Sequence, residues 1–240
     1  MSLVRDMLLY LPISSLTPHT DTLYCAIDMI GTNILPYMAD RGISKEDLLT
    51  IDRESICFSK VPDCCRPLRI ETSGMLVLSS DANGRTPILS WGGVHHGSSG
   101  YHSICALGNL ATLANEFCGR KNIIFFVYSG NYDEYEQGLV PVVIALAKAV
   151  KARVAVYTIL PLNIKEKHCE RLYVRGCDRV EKWKNMTTVT AIDPLIEMKE
   201  KKLEKNITLE RLFQYIYEQF AEKAINLAKF PLEKASDKKF

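Results

Sequence analysis

The chain has 240 residues, 47% of them hydrophobic and 24% charged, with 30 basic residues against 28 acidic ones. That apolar content fills a sizeable core and excludes disorder over most of the length; one α/β domain over residues 1–240 is expected. A formal charge of +2 supplies no field for nucleic acid or an anionic membrane. No apolar run approaches the ~18 residues of a membrane-crossing helix, and the start lacks a signal-peptide pattern, so a cytoplasmic protein is expected.

The eight cysteines are Cys25, Cys57, Cys64, Cys65, Cys105, Cys118, Cys169 and Cys177, and no CxxC pair occurs among them. Structural zinc sites need such knuckles or their Cys/His equivalents, so reduced thiols in an intracellular compartment are the expectation, with no metal assigned.

Residues 1–55 read as a helical segment. Leu3, Met7, Leu8 and Leu11 keep helical spacing, and Leu23, Ile27, Ile30 and Ile34 do so again before Pro36. Ser44, three residues before Asp47, is an acidic variant of the capping box. A Rossmann-like core is expected over 56–205. Residues 68–72 and 75–79 are short extended runs, and Asp81-Ala82-Asn83-Gly84 is a turn before a strand at 87–91. A helix carrying Ile104, Leu107, Leu110, Ala114 and Phe117 follows, with Gly119 placed to end it. The continuous apolar run 123–128 reads as a strand buried on both faces. A helix from residue 139 to about residue 150 comes next, with Pro141 in its first turn, and then a strand at 153–159.

Residues 171–174 and 188–192 read as further strands, and 197–205 as a solvated face or linker. Over 206–232 Thr208 caps a helix with Leu209, Leu212, Phe213, Ile216, Phe220 and Leu227 on one stripe, and 233–240 is a polar, fraying tail. Strand, loop and helix in alternation imply parallel strands with right-handed crossovers, so the fold class is a Rossmann-like three-layer α/β fold with a mostly parallel sheet.

In such a sheet ligands sit outside the carboxyl ends of the strands, which selects the loops at 92–103, 129–138, 160–165 and 193–196. In the first, Gly92, Gly93, Gly97 and Gly100 let backbone N–H groups approach a ligand, and Ser98 and Ser99 add hydroxyl donors. This composition describes a cradle for a carboxylate or phosphate, and it equally suits a tight turn. His95, His96 and His102 lie in or beside it, and an imidazole there suits proton transfer near neutral pH. The second loop carries Asp133, Glu134 and Glu136, with Ser129 and Asn131 as hydrogen-bonding partners. Its acids either contact a ligand or simply complement a helix N-terminus. A metal between His96 and these carboxylates is a further arrangement that neighbouring loops permit.

Residues 88–128, around Gly92-Gly93-Val94, resemble the strand–Gly-Gly–helix segment of fold-type II pyridoxal-phosphate enzymes, whose loop cradles a substrate carboxylate; no lysine occurs over 66–87 for their Schiff base. Residues 110–160, with Asp133, Glu134 and Gly138, resemble part of the D-glutamate cyclases, and residues 123–160 resemble the Rossmann part of NAD(P)H-hydrate epimerases. These three resemblances share one β-α-β segment and assign no family and no cofactor.

Two functions follow. In the first, the chain binds a small anionic metabolite and acts on it as a lyase- or isomerase-like enzyme: Gly92, Gly93, Gly97, Ser98, Ser99, Gly100, Ser129 and Asn131 bind, while His96, His102, Asp133 and Glu134 perform acid–base chemistry. In the second it is a non-catalytic or degenerate Rossmann-like scaffold that works through protein partners, homodimerising through its helical ends at 1–50 and 207–230.

Overall fold

The computed structural model describes residues 20–52, 61–69, 75–80, 87–91, 103–130, 134–201 and 207–229. Strand β1 (Thr22–Ala26) leads through α1 (Met29–Thr32), α2 (Leu35–Ala39) and a 3-10 turn (Lys45–Asp47) to β2 (Leu48–Asp52). Next come β3 (Arg66–Arg69), β4 (Met75–Ser80), β5 (Pro87–Trp91), β6 (Ser103–Ala106) and α3 (Leu107–Phe117). The second half runs β7 (Asn122–Tyr128), α4 (Glu134–Ala149), β8 (Arg153–Ile159), α5 (Lys167–Lys184), β9 (Thr188–Ile192), α6 (Pro194–Glu200) and α7 (Leu209–Lys229).

Six strands form a sheet in the order β3-β2-β1-β7-β8-β9, and every neighbouring pair is parallel. A parallel sheet is stable only with both faces covered, and the alternation of side chains supplies the two faces. Leu23, Cys25, Ile123, Phe125 and Val127 point into one core, where Leu113 and Phe117 of α3, Val143 and Ala147 of α4, and Val180 and Trp183 of α5 meet them. Tyr24, Ala26, Ile124, Phe126 and Tyr157 point into the other, against Leu35 and Met38 of α2 and Leu212, Ile216 and Phe220 of α7. The expected three-layer Rossmann-like class is therefore observed.

Several elements differ from the sequence-based expectation. Helices α1 and α2 are present near the N-terminus, but they lie between two strands, β1 and β2. The spacing of Leu23 and Ile27 fits a helix; burial on both faces shows why residues 22–26 are instead a central strand. Ser44 does act as an N-cap, accepting from the Glu46 N–H at 3.4 Å, yet the turn it opens is a single 3-10 turn that runs into β2. β5 leaves the parallel layer and pairs antiparallel with β4, which also pairs with β6.

Residues 103–106, read as helix, form β6; the helix starts at Leu107. Helix α4 begins at Glu134, so Pro141 sits inside it rather than in its first turn. Residues 171–174 lie within α5, an amphipathic helix with Gly176, Val180 and Trp183 buried. Part of the charged stretch is α6, capped by Asp193, whose Oδ1 accepts from Leu195 and Ile196. The strands at 153–159 and 188–192 and the end of α3 at Gly119, with φ 77°, are as expected. The segments 1–19 and 230–240 lie outside the described residues.

At the amino end of the sheet Arg120 is buried and ion-paired with buried Asp47 at 2.5 Å. The same guanidinium donates to the carbonyls of Thr20 (2.8 Å) and Glu46 (3.3 Å). Removing one partner of a buried pair strands the other charge, whereas an exposed pair contributes little. Asp47→Ala is thus expected to lower stability by about 3–5 kcal/mol in a denaturant titration. Disrupting the exposed Lys121–Asp21 pair by Lys121→Ala changes it by less than about 1 kcal/mol.

Candidate functional site

The chain winds outward from β1 through β2 to β3, and in its second half from β7 through β8 to β9. The order therefore reverses between β1 and β7, and in a doubly wound sheet the ligand crevice opens at the carboxyl ends of such a pair. The residues that leave these two strands are Ile27-Asp28 on one side and Ser129-Gly130 on the other.

Asp28 lies at this point and is buried, with 5% exposure. Its Oδ1 accepts from the Gly31 N–H at 2.5 Å, and its Oδ2 accepts from the Tyr128 N–H at 2.6 Å. One carboxylate thereby joins α1 to the end of β7. The Asp28 carbonyl accepts from the Thr32 N–H at 2.8 Å and from its hydroxyl at 2.7 Å. Oγ1 of Thr32 also lies 2.7 Å from Oγ1 of Thr50, at the end of β2. Gly31 is required here by space, because a Cβ would strike the Phe126 carbonyl of β7. Burial raises the phenol pKa values of Tyr128 and Tyr217, and the negative charge of Asp28 adds to the rise in both.

On the β7 side Ser129 is fully buried, and its N–H and hydroxyl both donate to the Ile159 carbonyl at 3.1 Å. The Ser129 carbonyl accepts from Nη1 of Arg179, which reaches it from α5. A Cβ on Gly130 would meet the Tyr128 ring at 2.5 Å and Pro161 at 2.6 Å; one on Gly176 would meet Pro161 at 2.7 Å and Oγ of Ser129 at 2.9 Å. The carboxyl ends of β7 and β8 are therefore packed with the chain's own side chains. A shallow hollow lined by Asn122, Ile124, Arg153, Ala155, Leu227 and Ala228 is at the opposite end of the sheet.

Of the residues singled out in the sequence, Ser129 is in the crevice region, where its donors serve strand-to-strand bonding. Glu134 is the first residue of α4. Gly92, Gly93, His96, Gly97, Ser98, Ser99, Gly100, His102, Asn131 and Asp133 lie outside the described residues. The rule that selected the loop after residue 91 presupposes a parallel strand before it, and β5 is antiparallel in a separate sheet. Among the described residues no cluster of three or more His, Cys, Asp or Glu is placed to hold a metal. Among them, too, no helix is long and apolar enough to cross a membrane. Cys25, Cys64, Cys65, Cys118, Cys169 and Cys177 are free thiols.

Asp28 was not among the sequence-derived candidates, because residues 22–34 read as one helix. The signal was an aspartate three residues before a glycine at the end of an apolar run, which becomes visible once that run is read as a strand.

The sheet order and the two covered faces define a Rossmann-like three-layer α/β fold. Among solved structures the chain is similar to TubZ of Clostridium botulinum phage c-st, with a TM-score of 0.53 and 12% identity over 89% of this chain and 62% of that one. It is similar to FtsZ of M. jannaschii, solved as an empty dimer, with a TM-score of 0.55 and 14% identity over 95% of this chain and 58% of that one. CetZ from Methanosaeta thermophila aligns with a TM-score of 0.55 and 9% identity over 88% of this chain and 55% of that one. The chain thus spans less than two thirds of each of these proteins, and at such identities the likeness is one of fold. No family model and no curated protein matches the sequence.

These neighbours overturn the expectation of a lyase- or isomerase-like enzyme acting on a small anionic metabolite. Among the described residues, the Gly31, Tyr128 and Ser129 donors at the crevice are bonded to the protein itself. The tight approach of Gly31 to β7 is directly testable. Gly31→Ala is expected to cost about 1–3 kcal/mol through overpacking, read as a lower denaturation midpoint; a midpoint equal to wild type would contradict this packing.

Proposed function

We propose that the chain is a tubulin/FtsZ-like assembly domain that works by associating with further copies of itself. The observation that carries this reading is the shared fold with TubZ, FtsZ and CetZ across 88–95% of the chain, one of these structures being a dimer. The likeness to TubZ and FtsZ favours a nucleotide as the small ligand, and the β1–β7 crevice is where it would enter. Free thiols and the absence of a membrane-crossing helix among the described residues support a cytoplasmic setting.

Homodimerisation through the helical ends at 1–50 and 207–230 is the form of association expected from the sequence. Leu212, Ile216 and Phe220 of α7 are buried against the chain's own sheet, while Leu209 at its start is exposed. Sedimentation velocity over a range of concentrations, with and without GTP and Mg²⁺, tests the proposal. Species that grow beyond the 27.1 kDa monomer with concentration are expected. A strict monomer under every condition would overturn it.

A further inference from the structure

We propose that Cys64 and Cys65 form a dithiol site for a soft, thiophilic ligand of the trivalent arsenical class, chelated by both sulfurs at once. The site lies at the amino end of the edge strand β3, away from the β1–β7 crevice, and does not rest on the assembly reading.

Neighbouring residues of a strand point to opposite faces, so two adjacent cysteines in extended chain cannot share a ligand. Here they lie in a turn instead. The Cys65 N–H donates to the Pro62 carbonyl at 3.2 Å and closes the turn Pro62-Asp63-Cys64-Cys65. The Cys65 thiol donates to the same carbonyl at 3.3 Å and is in hydrogen-bonding contact with the Cys64 thiol. The turn is anchored at its far end, because Arg66 opens β3 and donates to both carboxylate oxygens of Glu116 at 2.9 and 2.7 Å. Cys65 is buried, with 1% exposure, and Cys64 is half-buried. A ligand arriving from solvent therefore meets Cys64 first, with the second sulfur already in contact with it.

The same geometry disfavours a direct bond between the two sulfurs. Consecutive Cα atoms are 3.80 Å apart, short of the roughly 4.4–6.8 Å that a disulfide spans without strain. An atom placed between the sulfurs widens the ring and relieves that constraint. Burial raises both thiol pKa values, that of Cys65 to about 12, so both sulfurs carry their protons at neutral pH. Condensation with an arsenoxide uses them in that state. Two S–H bonds and the As=O bond break, two As–S bonds form, and both protons leave with the oxygen as one water. No element changes oxidation state, and sulfur is the donor that a soft centre selects. Cys169 and Cys177 are also free thiols, but they sit eight residues apart on α5. At 1.5 Å per residue that is about 12 Å along the helix, beyond the reach of one bridging atom.

Titration of the folded full chain with phenylarsine oxide tests the proposal, read by intact mass, by the count of remaining thiols and by mapping of the adduct after digestion. One adduct per chain is expected, consuming two thiols and residing on the peptide that carries residues 64 and 65. Cys64→Ser leaves a single sulfur and is expected to weaken binding at least about tenfold, because the second thiol no longer acts at high effective concentration. Cys65→Ser is expected to do the same, and Cys169→Ser to leave the affinity unchanged. Cys64→Ser, at the half-exposed position, is the deciding variant. No adduct on the folded wild type, an adduct on other cysteines, or a folded Cys64→Ser that binds as tightly as wild type would overturn the proposal.

Discussion

Five residue pairs, from Thr22 with Asn122 to Ala26 with Phe126, join the two halves of the parallel sheet. Each half is wound outward from this seam, so the positions of β2, β3, β8 and β9 and the helices covering them all depend on it. Contacts separated by about a hundred residues carry a high loop-closure cost, which the seam offsets by burial on both faces. Leu23, Cys25, Ile123 and Phe125 are fully buried on one side, with Ala26 and Phe126 on the other. The two ends of the seam are then fixed by opposite charges. Arg120 gathers Thr20, Glu46 and Asp47 at the amino end, and Asp28 gathers Gly31 and Tyr128 at the carboxyl end.

The carboxyl end is where a doubly wound sheet leaves room for a ligand, because the crossovers depart in opposite directions and part the loops above the strands. In this chain that opening is spanned by a side chain. A carboxylate bonded to two backbone N–H groups is held by charge-assisted hydrogen bonds, which are shorter and stronger than neutral ones. The carboxylate thus braces α1 against β7. The architecture shared with TubZ, FtsZ and CetZ persists around it at 9–14% identity.

Much of the second half of the fold was legible from residue patterns. The run Ile123 to Val127 is apolar without interruption, and residues 153–159 and 188–192 are bounded by clear breaks, so β7, β8 and β9 emerge from burial alone. Over residues 22–27 the pattern misleads, since six consecutive residues satisfy a helical and a strand period equally well and only the partners in β2 and β7 decide. Arg171 to Val174 failed for the opposite reason, a short β-prone window inside an amphipathic helix. The site was less legible than the fold. A glycine-, serine- and histidine-rich loop draws attention by composition, whereas Asp28 acquires its role only through the Tyr128 N–H, a partner one hundred residues away.

Amide hydrogen exchange at Gly31 and Tyr128 tests the central claim most directly. If Asp28 holds both N–H groups, they exchange as slowly as the buried amides of β7. Fast exchange at both amides in the folded chain would contradict the account.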